Sequence, residues 1–253
     1  MKQVIRRLLA RLGYRVEGIR YTPRQLLDSA AVRVLEFDDI VCRHVFDQGE
    51  GCVFLQVGAY DGISTDPLRK FIERFGWRGV MLEPQPGPAQ QLRDLYPEGS
   101  GIAVLQHALD RERTTRSLYV VESDEVPKWV GGMASFDRSQ ILKHEGLIPG
   151  IAAMVREIQV SCVTFEDALD QLESERLDLL QIDAEGADGY LLSLFPFDRI
   201  RPAIVHWEIK NMTRQAQENT LDLLRGHGYR IARSGGEDML AVLDDRARRQ
   251  GGI

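Results

Sequence analysis

No run of about 18 apolar residues occurs anywhere in the chain, which excludes an ordinary membrane-spanning helix. The three cysteines, Cys42, Cys52 and Cys162, are too few and too far apart for a disulfide framework. No Cys-x-x-Cys pair offers a zinc site, and a reducing cytoplasm is the expected compartment. Positive charge is not in excess either: with a net charge of −6 and Lys and Arg scattered among Asp and Glu, nothing draws a polyanion. Nucleic acid is therefore not an expected partner. Internal repeats and low-complexity tracts are also missing. What remains is 253 residues, 43% hydrophobic and 28% charged, enough to bury one sizeable core without dividing into two domains.

Residues 1–14 put Ile5, Leu8, Leu9 and Leu12 on one helical face, with Lys2, Arg6, Arg7 and Arg11 around it. This amphipathic basic segment lacks the apolar core and cleavage site of a secretory signal, so it is expected to stay on the mature protein. It either packs on the domain's own flank or makes peripheral contact with an anionic membrane surface or a partner. We expect residues 1–50 to form a helical extension, 51–245 the domain, and 246–253 a tail.

From residue 52 onward short apolar runs alternate with helical patterns, the signature of a mostly parallel sheet covered on both faces. Strands are expected at Val53–Val57, Val80–Leu82, Ala103–Leu109, Ile158–Val163, Leu177–Ile182 and Ala203–Trp207. The helix after the first strand has Asp66 as its cap, Pro67 at its first position, and Leu68, Phe71, Ile72 and Phe75 as its buried stripe. Further helices are expected over Pro86–Tyr96, after Thr164 with its Asp167 capping box, over Ala187–Phe195 and over Thr213–His227. The alternation lapses over 110–157, which reads as an insertion or lid where substrate choice resides. Tyr229–Arg233 and Met239–Leu243 flank a Gly-Gly turn, so the sheet ends in an antiparallel hairpin.

In such sheets ligands bind outside the carboxyl ends of the strands. Here those ends are Gly58 to Gly62, Glu83, His107 to Asp110, Asp183 to Glu185, and His206 to Glu208, and four of the five carry a carboxylate. The loop Gly58-Ala59-Tyr60-Asp61-Gly62 turns tightly but is not the GxGxxG of dinucleotide proteins, and Asp61 would oppose a pyrophosphate. Glu83 stands where an acid takes both hydroxyls of a ribose. S-adenosylmethionine has no phosphate and carries positive charge, which suits Asp61 and Asp183.

Phe54 to Gly62, then Leu82-Glu83-Pro84, then Leu180-Gln181-Ile182-Asp183-Ala184-Glu185-Gly186-Ala187-Asp188 resemble the three signature segments of the FkbM family of methyltransferases. The resemblance runs from about residue 52 to 243. It implies an α/β, Rossmann-like class I methyltransferase fold with a seven-stranded sheet, S-adenosylmethionine as donor, and O-methylation of a sugar, glycan or natural-product hydroxyl. Tyr60 departs from it where the family often has Asn, and Ala184 where it often has Val. The cofactor wall it implies is Gln56, Gly58, Ala59, Asp61, Gly62, Glu83, His107, Ala108 and Asp183. Gly58 and Gly62 would let the backbone approach the methionine part, and Asp61 would face its amino group. Glu83 would hold the ribose, and His107, Ala108 and Leu109 would flank the adenine.

Asp183, Glu185, His206 and Glu208 are the candidate bases for the acceptor hydroxyl. Alternatively Asp183 and Glu208 hold a divalent cation such as Mg2+, with Asn211 as a third oxygen ligand. Glu185 could instead cap the helix beginning near Gly186, and Trp129 either stacks on a sugar or anchors the lid. Two other classes stay open: a noncatalytic cofactor- or partner-binding module, and an NAD-dependent oxidoreductase.

Overall fold

The computed structural model describes residues 36–48, 51–64, 66–123, 126 and 128–244. The basic helix expected over 1–14, the tail 246–253 and the side chain of Trp129 lie outside the described residues. The chain divides into residues 1–34 and 35–253, and only the second unit is described below. None of its described helices is long and apolar enough to cross a membrane.

Helix α1 (Phe37–Gln48) precedes strand β1 (Val53–Val57), which leads to α2 (Arg69–Phe75), β2 (Arg78–Leu82), α3 (Pro86–Leu95) and β3 (Ile102–Leu105). Later come β8 (Leu179–Ile182), α7 (Asp188–Leu194), β9 (Ile204–Glu208), α8 (Arg214–Gly226), β10 (Tyr229–Ser234) and β11 (Asp238–Leu243). These strands form one seven-stranded sheet in the order β3-β2-β1-β8-β9-β11-β10. It is parallel apart from β11, which runs antiparallel to both neighbours. The expected fold class and terminal hairpin are thus present. All five residues of β1 are buried because helices cover both faces. One face packs Leu55, Leu180, Val205 and Trp207 against α7 and α8; the other packs Phe54, Met81, Ile204 and Leu240 against α1 and α2. Strand order reverses at β1, which opens a crevice at its carboxyl end beside β8.

Local signals account for most boundaries. Thr213 caps α8 by accepting from the Ala216 amide, and Gly228 stops it in the left-handed region at φ 87°. Thr164 and Asp167 form the reciprocal capping box of α6 (Phe165–Leu169). Asp66 does not cap a helix at Pro67. It accepts from the Leu68 amide in a turn, and α2 starts two residues later than expected.

Between β3 and α6 the chain builds a second, four-stranded sheet in the order β4-β7-β5-β6. Its members are β4 (Ala108–Leu109), β5 (Thr114–Val121), β6 (Ala134–Ser135) and β7 (Val155–Val163), with short helices α4 (Arg138–Leu142) and α5 (Ile151–Met154) between the last two. Two expectations are corrected. The third strand breaks at Gln106–His107, and its second half pairs with Cys162 and Val163. The run at 158–163 belongs to β7 and does not rejoin the main sheet. Its alternation of polar Glu157, Gln159 and Ser161 with Ile158, Val160 and Cys162 suits a half-solvated antiparallel strand.

Candidate active site

A cavity of about 610 Å³ lies between the carboxyl ends of β1, β2 and β8 and the second sheet. Its floor is set by two tight approaches. Gly58 sits at φ 79°, and a β-carbon there would come within 1.8 Å of the Asp183 carbonyl oxygen, while the amides of Gly58 and Ala59 both donate to the Leu82 carbonyl. Glycine at 58 lets β1 and β8 close on each other, a demand of the fold rather than of a ligand. Gly62, at φ 66°, turns in against Leu92 and does not line the cavity.

Among the described residues two non-glycines are held in the left-handed region, Tyr60 at φ 47° and Glu185 at φ 49°, and both line the cavity. Strain of this kind costs about 1–3 kcal/mol and persists where surroundings over-determine it. Tyr60 is fixed by its amide, which donates to Glu83 at 2.9 Å, and by its ring, which lies against Gly131 and Gly132. Asn tolerates positive φ better, which explains its frequency at this position in the resemblance.

Glu83 is 3% exposed and accepts from the amides of Tyr60 and Gln85, one on each oxygen. Burial, then the nearby Asp183, raises its pKa to about 7 against those two hydrogen bonds. Asp61 also lines the cavity, but its carboxylate accepts from the Ile63 and Ser64 amides and the Ser64 hydroxyl, so it organises its own loop. Asp66, absent from the expected site, stands in the wall beside Gln56, whose amide nitrogen donates to it at 3.1 Å. Gln56 Oε1, Asp66 Oδ2 and His107 Nδ1 are buried without partners, and all three residues line the cavity. Unsatisfied acceptors in a cavity wall fit a ligand rich in donors.

Asp183 is accessible from the cavity, yet the surrounding protein withdraws enough water to push its pKa up, partly offset by Lys210. Glu185 lines the same wall, and burial followed by repulsion from Asp183 raises its carboxyl to about 7. It does not cap α7. No side chain caps α7. Its first residue, the fully buried Asp188, accepts from the amides of Ala184, Gly186 and Glu208 and so ties the ends of β8 and β9 together.

His206 and Glu208 stand away from the cavity wall. His206 follows Ile204 on the α1 face, lies with its ring centroid 4.5 Å from that of Phe37 at a tilt of 41° and shares a 2.6 Å hydrogen bond with Gln181 through Nδ1. Burial lowers its pKa to about 4, so it is a neutral core residue. Glu208 is raised to about 9 by burial and then by Asp183, Glu185 and Asp188. The Asn211 amide nitrogen donates to Glu185 and Glu208, so this side chain turns a donor rather than an oxygen toward the carboxylates. The expected Mg2+ site finds no support in this arrangement.

The second sheet supplies the opposite wall, where beyond Ala108 and Leu109 of β4 no residue was expected. Arg116 lies 4.0 Å over the Phe136 ring and donates to Asp110, which also accepts from the Tyr190 hydroxyl at 2.6 Å. Arg116, Phe136 and Tyr190 line the cavity, with Tyr190 40% exposed. No chain-local signal marked these residues, since β5 reads Thr-Thr-Arg-Ser-Leu-Tyr-Val-Val without strict alternation.

A model of the methyltransferase FkbM domain matches residues 56–231, well over half of the chain. The chain belongs to the FkbM methyltransferase family. This FkbM domain is of the S-adenosylmethionine-dependent class, which removes the nicotinamide alternative. Its likeness to solved structures is distant. A methyltransferase FkbM from Methylobacillus flagellatus KT is 13% identical with a TM-score of 0.47, covering 76% of this chain and 43% of that one. The chain thus spans less than half the length of that protein. The N-terminal domain of human METTL16 in complex with SAH is 12% identical, with a TM-score of 0.42 and coverage of 94% and 79%. A fibrillarin pre-rRNA processing protein from Methanococcus jannaschii is 9% identical, with a TM-score of 0.38 and coverage of 77% and 67%. No curated protein matches the chain.

Proposed function

We propose that this FkbM-family protein transfers a methyl group from S-adenosylmethionine to a hydroxyl oxygen of a sugar, glycan or natural product. The observation that carries it is an accessible carboxylate, Asp183, at the seam between a nucleoside-sized wall and a wall rich in hydrogen-bonding and aromatic groups. When bound, S-adenosylmethionine supplies a methyl carbon made electrophilic by its sulfonium. Glu83 accepts from the ribose hydroxyls, His107 and Ala108 border the adenine, and Gln56 and Asp66 offer acceptors to the ammonium head. The protein's remaining task is to align the acceptor oxygen and take its proton. Asp183, which lines the cavity, receives that proton, its carboxyl being held above the ordinary range by burial. Ser135, Arg116 and Tyr190 give a polyhydroxyl acceptor its partners.

Calorimetric titration with S-adenosylhomocysteine is expected to show micromolar binding, unchanged by magnesium or chelator. Asp183→Asn should abolish transfer across a panel of sugars and lipid-linked sugars while leaving that binding within about threefold. Glu83→Ala should weaken binding by roughly 10- to 100-fold. Equal loss of both properties in both variants would overturn these roles. Binding without turnover on any acceptor would favour a noncatalytic module.

A further inference from the structure

The opposite edge of the main sheet, at the amino ends of β1 and β8, carries a second group of chemistry-bearing side chains. His44 comes from α1, Cys52 immediately precedes β1, and Asp178 immediately precedes β8. One ligand atom from each lies within 4.8 Å of the others, a convergence unique among His, Cys, Asp and Glu of the described residues. We propose that His44, Cys52 and Asp178 bind one divalent cation of the zinc class, clipping α1 to the sheet.

The donor set of one imidazole nitrogen, one thiolate and one carboxylate oxygen is that of zinc, which holds such atoms at about 2.0–2.3 Å and so about 3–4 Å from one another. His44 Nε2 and Asp178 Oδ1 already stand 2.9 Å apart, and in the metal-free protein a hydrogen bond joins them. Asp178 is fully buried and Cys52 is 1% exposed. The carboxylate is also oriented from behind: Oδ2 accepts from the Val53 amide at 2.9 Å and pairs with Arg176 Nε at 3.0 Å, leaving Oδ1 for the site. Outer partners of this kind fix ligating carboxylates in metal sites. Burial of Cys52 and Asp178 keeps bulk water from the donor atoms, the setting of a structural rather than a catalytic ion. No local spacing announces the site, because Asp178 stands 134 residues beyond His44.

The intact protein, stripped with chelator, is titrated with cobalt(II) and separately with zinc against a chromophoric competitor. One equivalent of each should bind, cobalt giving a thiolate-to-metal charge-transfer band. Cys52→Ser should remove the band and weaken zinc binding more than ~100-fold, whereas Cys42→Ser and Cys162→Ser keep both. A wild-type protein with no thiolate band, or a band that survives Cys52→Ser, overturns the proposal and leaves the His44–Asp178 hydrogen bond as what the group supplies. The wild-type spectrum decides even if the Cys52 variant fails to fold.

Discussion

A β-carbon on residue 58 would stand 1.8 Å from the Asp183 carbonyl oxygen, a separation no rotamer change can relieve, and φ 79° adds backbone strain. Gly58→Ala should therefore cost on the order of 3 kcal/mol or more, read as a lowered denaturant midpoint, by forcing β1 and β8 apart. Gly62→Ala meets the movable Leu92 methyl at 2.7 Å, so its loss should be smaller. If the two variants are equally stable, the close approach at 58 is not what demands glycine there. Asp188 has the same standing among charged residues. Its position in the Asp-x-Glu-Gly-x-Asp segment was visible, but its task, satisfying three backbone amides, needs the β9 end beside it.

At the scale of elements, the turn at Lys128–Gly132 and the loop after β1 are fitted to each other. A β-carbon at Gly131 would come within 2.5 Å of the Tyr60 hydroxyl, and Gly132 lies against the same ring. Tyr60 cannot swing freely, because its backbone is held at φ 47° and its amide is bonded to Glu83. Gly131→Ala should therefore push on the ribose-side acid and weaken S-adenosylhomocysteine binding by roughly 10-fold, about 1.4 kcal/mol. The double variant Gly131→Ala with Tyr60→Asn should recover most of it, since the ring is gone and Asn accepts positive φ. Additive losses in calorimetry would mean that the two elements are not coupled. Nothing in the chain-local pattern indicates what these two glycines accommodate.

Across the whole molecule, burial gathers carboxyls that hold protons far above the ordinary range: Glu83 and Glu185 at about 7, Glu208 at about 9 and Asp238 at about 6. In the unfolded chain these groups ionise near pH 4, so between there and the folded values the native state binds more protons. Their stabilisation is greatest at low pH and is lost as pH rises through about 6 to 9. The melting temperature should fall over that window. Glu208→Gln should flatten the fall, raising Tm by about 3 °C near pH 8.5 and changing little near pH 4. A uniform shift at every pH would assign the effect to packing instead.

Sequence alone determined the parallel sheet, its terminal hairpin, the capping of α6 and α8, and the acids at the strand ends, because each follows from hydrophobic period, turn chemistry or chain-local spacing. Tertiary structure decided which of those acids face the cavity. Asp183 follows β8 into the cavity, whereas His206 lies inside β9, where strand alternation and the ring of Phe37 turn it into the α1 face. Asp61 reads as a ligand group until its loop closes and uses both carboxylate oxygens, whereas Asp66, a helix cap by sequence, joins Gln56 in the wall. The second sheet and the His44, Cys52 and Asp178 group depend on pairings between distant segments, and chain-local patterns carry no record of such contacts.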